Sequence, residues 1–165
     1  MKIGVLSDTH SFLDPTILQH FEDVDEIWHA GDIGKIEIMD QLACIAPVET
    51  VYGNIDNHII QSEYDEYLCM DRSGIKVLMI HIAGKFGYYH SHVKNLIHQF
   101  HPKILVCGHS HILKIQYDNK NNLLYVNPGA CGHHGFHLMR TILKFEINSG
   151  KIENMKVIEL GRRGR

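Results

Sequence analysis

Apolar residues recur along this chain in two rhythms. Short runs with the dense or alternating pattern of strands lie at Lys2–Leu6, Glu26–His29, Val48–Val51, Ile75–His81, Ile104–Cys107, Lys114–Tyr117, Leu123–Asn127, Arg140–Ile147 and Ile152–Glu159. Between the early runs the spacing turns helical. Asp14-Pro15 supplies a capping residue followed by proline at the first helical position, and so opens a helix over Thr16–Phe21. Lys35–Ala46 gathers Ile36, Met39, Leu42, Cys44 and Ile45 broadly on one face. Tyr89–Phe100 gathers Val93, Leu96, Ile97 and Phe100, then stops at His101-Pro102 as a helix should before proline.

The first two-thirds of the chain therefore alternate strand and helix, which predicts a parallel sheet with crossover helices. The last third is mostly strand, with hairpin turns at Asp118–Asn122 and Asn148–Gly150, and predicts a second, more antiparallel sheet. The expected fold class is α/β (α+β), a four-layer sandwich of two mixed β-sheets flanked by helices. Residues 1–160 read as one domain, and Gly161–Arg165 as a frayed basic tail.

Composition narrows the function without assigning it. With 165 residues, 44% hydrophobic and 21% charged, the chain has the make-up of an ordinary globular domain and not of a disordered one. No apolar run approaches the ~18 residues a membrane span needs, and the first apolar stretch meets Ser7-Asp8 too soon for a signal-peptide core. A cytoplasmic protein with no membrane partner is expected. A formal charge of −3 is too modest to imply a nucleic-acid-binding surface. Four cysteines without a C-x-x-C pair read as small buried thiols. Histidine changes the picture. Its 14 copies nearly equal the 16 lysines and arginines, which favours metal chemistry.

That chemistry has a place to gather. Ser7-Asp8-Thr9-His10 follows the first strand, Gly31-Asp32 the second, and Gly53-Asn54-Ile55-Asp56 the third. His81 closes the strand at Ile75–Ile80, and Gly108-His109-Ser110-His111 follows Ile104–Cys107. Loops at the carboxyl ends of strands in an α/β sheet converge on one crevice, so five scattered segments would meet there. Asp, Asn and His together suit hard to borderline divalent metals. In extended backbone, alternate residues of D-x-H and H-x-H would point the same way. The glycines before Asp32, Asn54 and His109 would allow close backbone approach.

This ordered series, D-x-H, G-D, G-N-x-D, a strand-end His and G-H-x-H, resembles the calcineurin-like metallophosphoesterase superfamily, in particular its small bacterial and archaeal phosphodiesterases. The likeness runs from Met1 to about Ile147 and includes Asn127-Pro128-Gly129. It implies a single metallophosphoesterase domain with two divalent metal ions, manganese first, with Ni, Fe, Zn or Co as alternatives. Asp8, His10, Asp32 and His111 would hold one ion; Asp32, Asn54, His81 and His109 the other. The implied reaction is in-line attack on phosphorus by a metal-bridging hydroxide, on a small phosphate ester, with Asn54 also contacting phosphate.

Large phosphatases of the superfamily place His directly after the motif Asn, where it assists the leaving group. Ile55 stands there in this chain, which favours diesters. Asp56 is then a candidate orienter and His58 a candidate replacement acid; His133 and His134 are candidate phosphate or leaving-group contacts, with His137 beside them. His81-Ile82-Ala83-Gly84 also departs from the family, which often has Gly directly after that His. The rival readings are a phosphomonoesterase and a non-catalytic protein-interaction scaffold of the same fold. A homo-oligomer is an ordinary default.

Overall fold

A computed structural model describes residues 1–164. The elements run β1 (Lys2–Leu6), α1 (Pro15–His20), β2 (Glu26–His29), α2 (Glu37–Ala43), β3 (Val48–Thr50), α3 (His58–Glu63), β4 (Tyr67–Arg72) and β5 (Ile75–Ile80). They continue with β6 (Gly84–Lys85), β7 (Tyr88–Tyr89), α4 (Ser91–Phe100), β8 (Ile104–Val106), β9 (Lys114–Asp118), β10 (Leu123–Asn127), β11 (Met139–Asn148) and β12 (Lys151–Arg162). One five-stranded sheet has the order β12-β11-β1-β2-β3, the other β4-β5-β8-β10-β9, and β6-β7 is a separate hairpin. Both large sheets are mixed: β1 pairs parallel to β2 but antiparallel to β11, and β5 pairs parallel to β8 but antiparallel to β4.

Side-chain alternation builds the layers. Ile3 and Val5 of β1 face Val77 and Met79 of β5 and Ile104 and Val106 of β8 between the sheets, with Trp28 and Phe145 filling the same layer. The opposite face of the first sheet, through Leu6, Ile27 and Ile142, packs on Ile17, Met39, Leu42 and Ile60 of α1, α2 and α3. The outer face of the second sheet, through Leu78, Ile80 and Leu105, packs on Val93, Leu96 and Ile97 of α4. The result is the expected four-layer sandwich of two mixed β-sheets flanked by helices.

The division of the chain between the sheets differs from the sequence expectation. β9 and β10 complete the second sheet, whereas β11 and β12 return to the first. Two elements carry too little periodicity to be read. Only Ile60 of α3 is buried, although Asn57 caps that helix by accepting from the N–H groups of Ile59 and Ile60. β4 is a half-buried edge strand, joined to β5 by a turn whose Ser73 and Gly74 both have positive φ, 50° and 83°. α4 starts later than expected because Tyr88 and Tyr89 pair with Lys85 and Gly84.

The basic tail is not frayed through its described part. β12 runs to Arg162, Arg163 N donates to Leu138 O at 3.1 Å, and Arg163 Nε donates to His137 O at 3.1 Å. Arg165 lies outside the described residues. Of the cysteines, Cys107 and Cys131 are buried as expected, but Cys69 is half-buried and Cys44 exposed. Among the described residues, no helix is long and apolar enough to cross a membrane.

Candidate metal centre

The carboxyl ends of β1, β2, β3, β5 and β8 open onto one end of the sandwich. Backbone hydrogen bonds run on past the strand ends and tie the loops together. Asp8 N donates to Gly31 O at 3.0 Å, His10 N to Asp32 O at 3.0 Å, Gly108 N to His81 O at 3.0 Å and Gly132 N to Asp8 O at 3.1 Å. Glycine is needed where loops touch ligand candidates. A Cβ on Gly53 would collide with Asp32 Oδ1, one on Gly108 would lie 2.9 Å from Asp8 Oδ2, and one on Gly31 (φ +91°) would lie 2.7 Å from His81 Nδ1.

Five ligand candidates have left-handed backbone: Asp8, His10, Asp32, His109 and His111, with φ of 56°, 46°, 57°, 66° and 58°. Each costs a residue with a Cβ roughly 1–2 kcal/mol, and such outliers cluster at functional sites. The extended backbone expected for D-x-H and H-x-H is thus corrected. Left-handed turns, not strand alternation, converge these side chains.

The side chains form two groups. Asp8, His10, Asp32 and His111 each offer a ligand atom within 4.8 Å of the others, and so do Asp32, His81 and His109. Asp32 belongs to both. Asp32 Oδ2 lies 3.4 Å from His10 Nε2, Asp32 Oδ1 3.2 Å from His81 Nε2, and Asp8 Oδ1 3.2 Å from His111 Nε2. Ligands at about 2.1 Å from one ion stand about 3.0 Å apart in an octahedron and about 3.4 Å apart in a tetrahedron, so these separations fit cation binding. Asp8 Oδ2 and His81 Nε2 are buried without a hydrogen-bond partner, a costly arrangement that a cation would relieve.

Local bonds aim these groups. His81 Nδ1 donates to Ala30 O at 2.7 Å, leaving Nε2 for the site. Asp8 Oδ1 accepts from His109 N at 3.2 Å, and Asp32 Oδ1 from Ile55 N at 3.1 Å. Burial pushes His10 and His109 below the ordinary imidazole value, against the pull of Asp32 and Asp8. Burial also acts on His81, but the field of Asp32 and Asp8 outweighs it and holds that ring above the ordinary value. Burial disfavours ionised Asp32, yet His81, the Ile55 N–H and His10 together hold its carboxyl below the usual range.

The remaining candidates divide. Asn54 is exposed and lines a cleft of about 140 Å³ beside His81. Asp56 is buried. Its Oδ2 accepts from Gly53 N at 2.7 Å and Ile33 N at 3.2 Å, and its Oδ1 from Gly34 N at 2.7 Å, so it joins the loops after β2 and β3. With both oxygens occupied by backbone donors, it fixes the two loops against each other. His58 is exposed on the first turn of α3 and belongs to neither ligand group. The His134 ring lies tilted 4.7 Å from His10, whereas the Nδ1 of His133 lies 2.5 Å from Arg163 O and its ring 4.1 Å from Phe12. His137 lies 5.3 Å from His111.

Two positioning residues, His29 and Thr9, had no role assigned from the sequence, and a third, Asn127, entered only through the Asn127-Pro128-Gly129 likeness. His29, wholly buried, has Nε2 3.0 Å from Thr9 Oγ1, and that hydroxyl reaches Ile33 O at 2.9 Å. Asn127 Nδ2 donates to Gly108 O at 2.8 Å. A histidine and a threonine amid apolar strand ends were the available signal.

A family model described as the calcineurin-like phosphoesterase superfamily domain matches residues 1–150. A probable metallophosphoesterase of Methanothermobacter thermautotrophicus is 31% identical over 135 residues, covering 79% of this chain and 77% of the relative. Among solved structures, an archaeal phosphodiesterase aligns with TM-score 0.77 at 23% identity, covering 97% of this chain and 100% of that one. Vps29 of Entamoeba histolytica complexed with Zn²⁺ aligns with TM-score 0.74 at 17% identity, covering 96% and 99%.

Proposed function

The chain belongs to the calcineurin-like phosphoesterase superfamily, and on that premise we propose that it is a phosphodiesterase working with two divalent cations. The observation that carries this reading is the pair of ligand groups joined through Asp32. Asp8, His10, Asp32 and His111 would hold one cation; Asp32, Asn54, His81 and His109 the other. Manganese is the first choice, with Ni, Fe, Zn or Co as alternatives. When bound, such a pair acidifies water and neutralises charge on a phosphate.

The chain's own residues set the rest. Asp8 and Asp32 bring two negative charges and the histidines none, so the loaded site keeps excess positive charge for an anionic ester. Asn54 and His134 stand at the rim, where each would contact phosphate. Ile55 offers only its backbone N–H, to Asp32, and its side chain has no proton for a leaving group. A substrate whose leaving group departs unaided is therefore favoured, which points to activated diesters ahead of alkyl monoesters. The archaeal phosphodiesterase of similar fold supports the same direction.

Comparing 4-nitrophenyl diesters with alkyl phosphate monoesters on manganese-loaded protein tests this. Diester turnover is expected to dominate, and Ile55→His to raise monoester turnover. Dominant alkyl monoester turnover in the unaltered protein would overturn it in favour of a phosphomonoesterase. The likeness to Vps29 favours a scaffold reading instead; no turnover of either class under any of the five metals would support that one.

A further inference from the structure

Beside His109, the chain builds a second, larger recess of about 780 Å³. Gly108 and His109 belong to its wall, so it opens directly beside the cation site. Ile82, Phe86, Tyr88, Ile112 and Tyr125 give it an apolar and aromatic lining, with Ser110, His90 and two lysines among them. Tyr88 is 83% exposed and Ile112 65% exposed, whereas Tyr125 is buried. Such side chains left uncovered around one recess mark a binding surface more than they serve the core.

The hairpin that carries Phe86 and Tyr88 is held in place. β6 and β7 pair through Gly84↔Tyr89 and Lys85↔Tyr88, and His90 N donates to Ala83 O at 3.1 Å. Phe86 packs edge-on to Tyr125 with ring centroids 5.5 Å apart. Tyr89 Oη donates to Asp118 Oδ2 at 2.8 Å, anchoring the hairpin to β9. Lys114 Nζ stands 4.9 Å from the Phe86 centroid, and Lys85 also lines the recess. The surface is thus a preformed aromatic recess with two cations in its lining, next to the place where an anionic phosphate would sit.

We propose that this recess is a specificity subsite that receives a planar aromatic ester group of the phosphodiester against Phe86, Tyr88 and Ile112, with Lys85 and Lys114 supplying positive charge beside the anion. The proposal rests on the phosphodiesterase reading above. It names one class of occupant, an aromatic ring carried on an ester oxygen of phosphorus, either directly or through a sugar. Two sources share that chemistry, a simple aryl ester and a nucleoside ester.

The test uses three phosphorothiolate diesters with the same S-ethyl leaving group, whose released thiol is counted colorimetrically and whose second ester is methyl, phenyl or thymidine 5′. On the manganese-loaded full chain, KM for the phenyl ester should be about tenfold below that for the methyl ester, as burial of a ring predicts. Tyr88→Ser and Ile112→Ser change exposed side chains, so folding should survive. Each should raise the phenyl-ester KM several-fold with kcat held, and move the methyl-ester KM by less than twofold. A thymidine ester binding more tightly than the phenyl ester assigns a nucleobase; weaker or equal binding assigns a simple aryl group. Equal KM for phenyl and methyl esters, or variants that raise both alike, would overturn the subsite. In parallel, calorimetric titration compares phenylphosphonate with methylphosphonate. If no ester is hydrolysed, the phosphodiesterase reading fails by itself, and the calorimetry still decides the recess: about tenfold tighter phenylphosphonate binding, lost in Tyr88→Ser, supports it, and equal binding overturns it.

Discussion

His81 Nδ1 lies 2.7 Å from the carbonyl oxygen of Ala30, across the gap between the two sheets. A carbonyl can only accept, so the proton must sit on Nδ1 and a neutral ring presents its lone pair from Nε2. That one bond sets the tautomer of a ligand candidate and ties the strand end of the second sheet to that of the first. Gly31, the next residue, is why the ring can come so close: a Cβ there would lie 2.7 Å from Nδ1.

Gly31→Ala should therefore do two things at once. The φ of +91° and the collision with His81 should lower stability by about 2 kcal/mol or more. The ring must also move, so cation affinity should fall at least tenfold. Chemical denaturation in chelator measures the first effect and calorimetric titration with Mn²⁺ the second. Unchanged affinity would mean that Ala30 does not position His81.

Asp56→Asn should act through the loops and not through chemistry. Its two oxygens accept from Gly53, Gly34 and Ile33, and an amide nitrogen in place of either oxygen would face a backbone donor. A loss of about 2–3 kcal/mol is expected in denaturant unfolding. The pH profile of diester turnover should keep its shape while its height falls; a shifted acid limb would instead make Asp56 a proton-transfer group.

The sequence made the site easier to read than the scaffold around it. Asp8, His10, Asp32, His81, His109 and His111 stand out because polar residues directly after apolar strands have few other reasons to be there. Their left-handed backbone was not legible, since nothing in a D-x-H triplet marks a positive φ on residues that usually avoid it. Sheet membership was hidden for a different reason. β10 and β11 have similar patterns, and only the Asn127-Pro128-Gly129 turn and the long connection to Met139 separate the strand of one sheet from that of the other. Asp56 illustrates a third kind of limit. The sequence marks it as a candidate orienter, but what it orients shows only in the three N–H groups around it, which belong to two different loops.

Arg72→Ala should separate stability from function. Arg72 on β4 donates from Nε to both oxygens of Glu26 on β2, at 2.8 and 2.9 Å, and pairs with Glu49 on β3, bridging the sheets. Removing it leaves Glu26, buried beside Trp28, with the indole N–H as its remaining named side-chain partner. A loss of about 2 kcal/mol is expected, reduced from the fully buried case because Arg72 is partly exposed. Diester kcat/KM, measured well below the unfolding midpoint, should stay within about twofold. A large activity loss would mean that the sheet-to-sheet distance reaches the metal centre.

His29 should give the chelated protein an acid sensitivity of its own. Burial pushes this ring down to about 4, while the unfolded chain titrates it near 6.5. Between those values the unfolded state binds the extra proton, so stability contributed by neutral His29 is full above about 6.5 and is lost as pH falls towards 4. The loss amounts to about 3 kcal/mol. His29→Gln should flatten the fall in unfolding free energy over that window. An equally steep fall in the variant would assign the sensitivity to other groups.

Asp32 is the residue the two ligand groups share, and metal content measures that sharing most directly. Protein loaded with Mn²⁺ and freed of excess should carry two ions per chain. Asp32→Asn, which weakens both ligand groups, should carry fewer than one, while His10→Ala, which touches one group, should keep about one. Equal loss of a single ion in both variants would contradict the bridge.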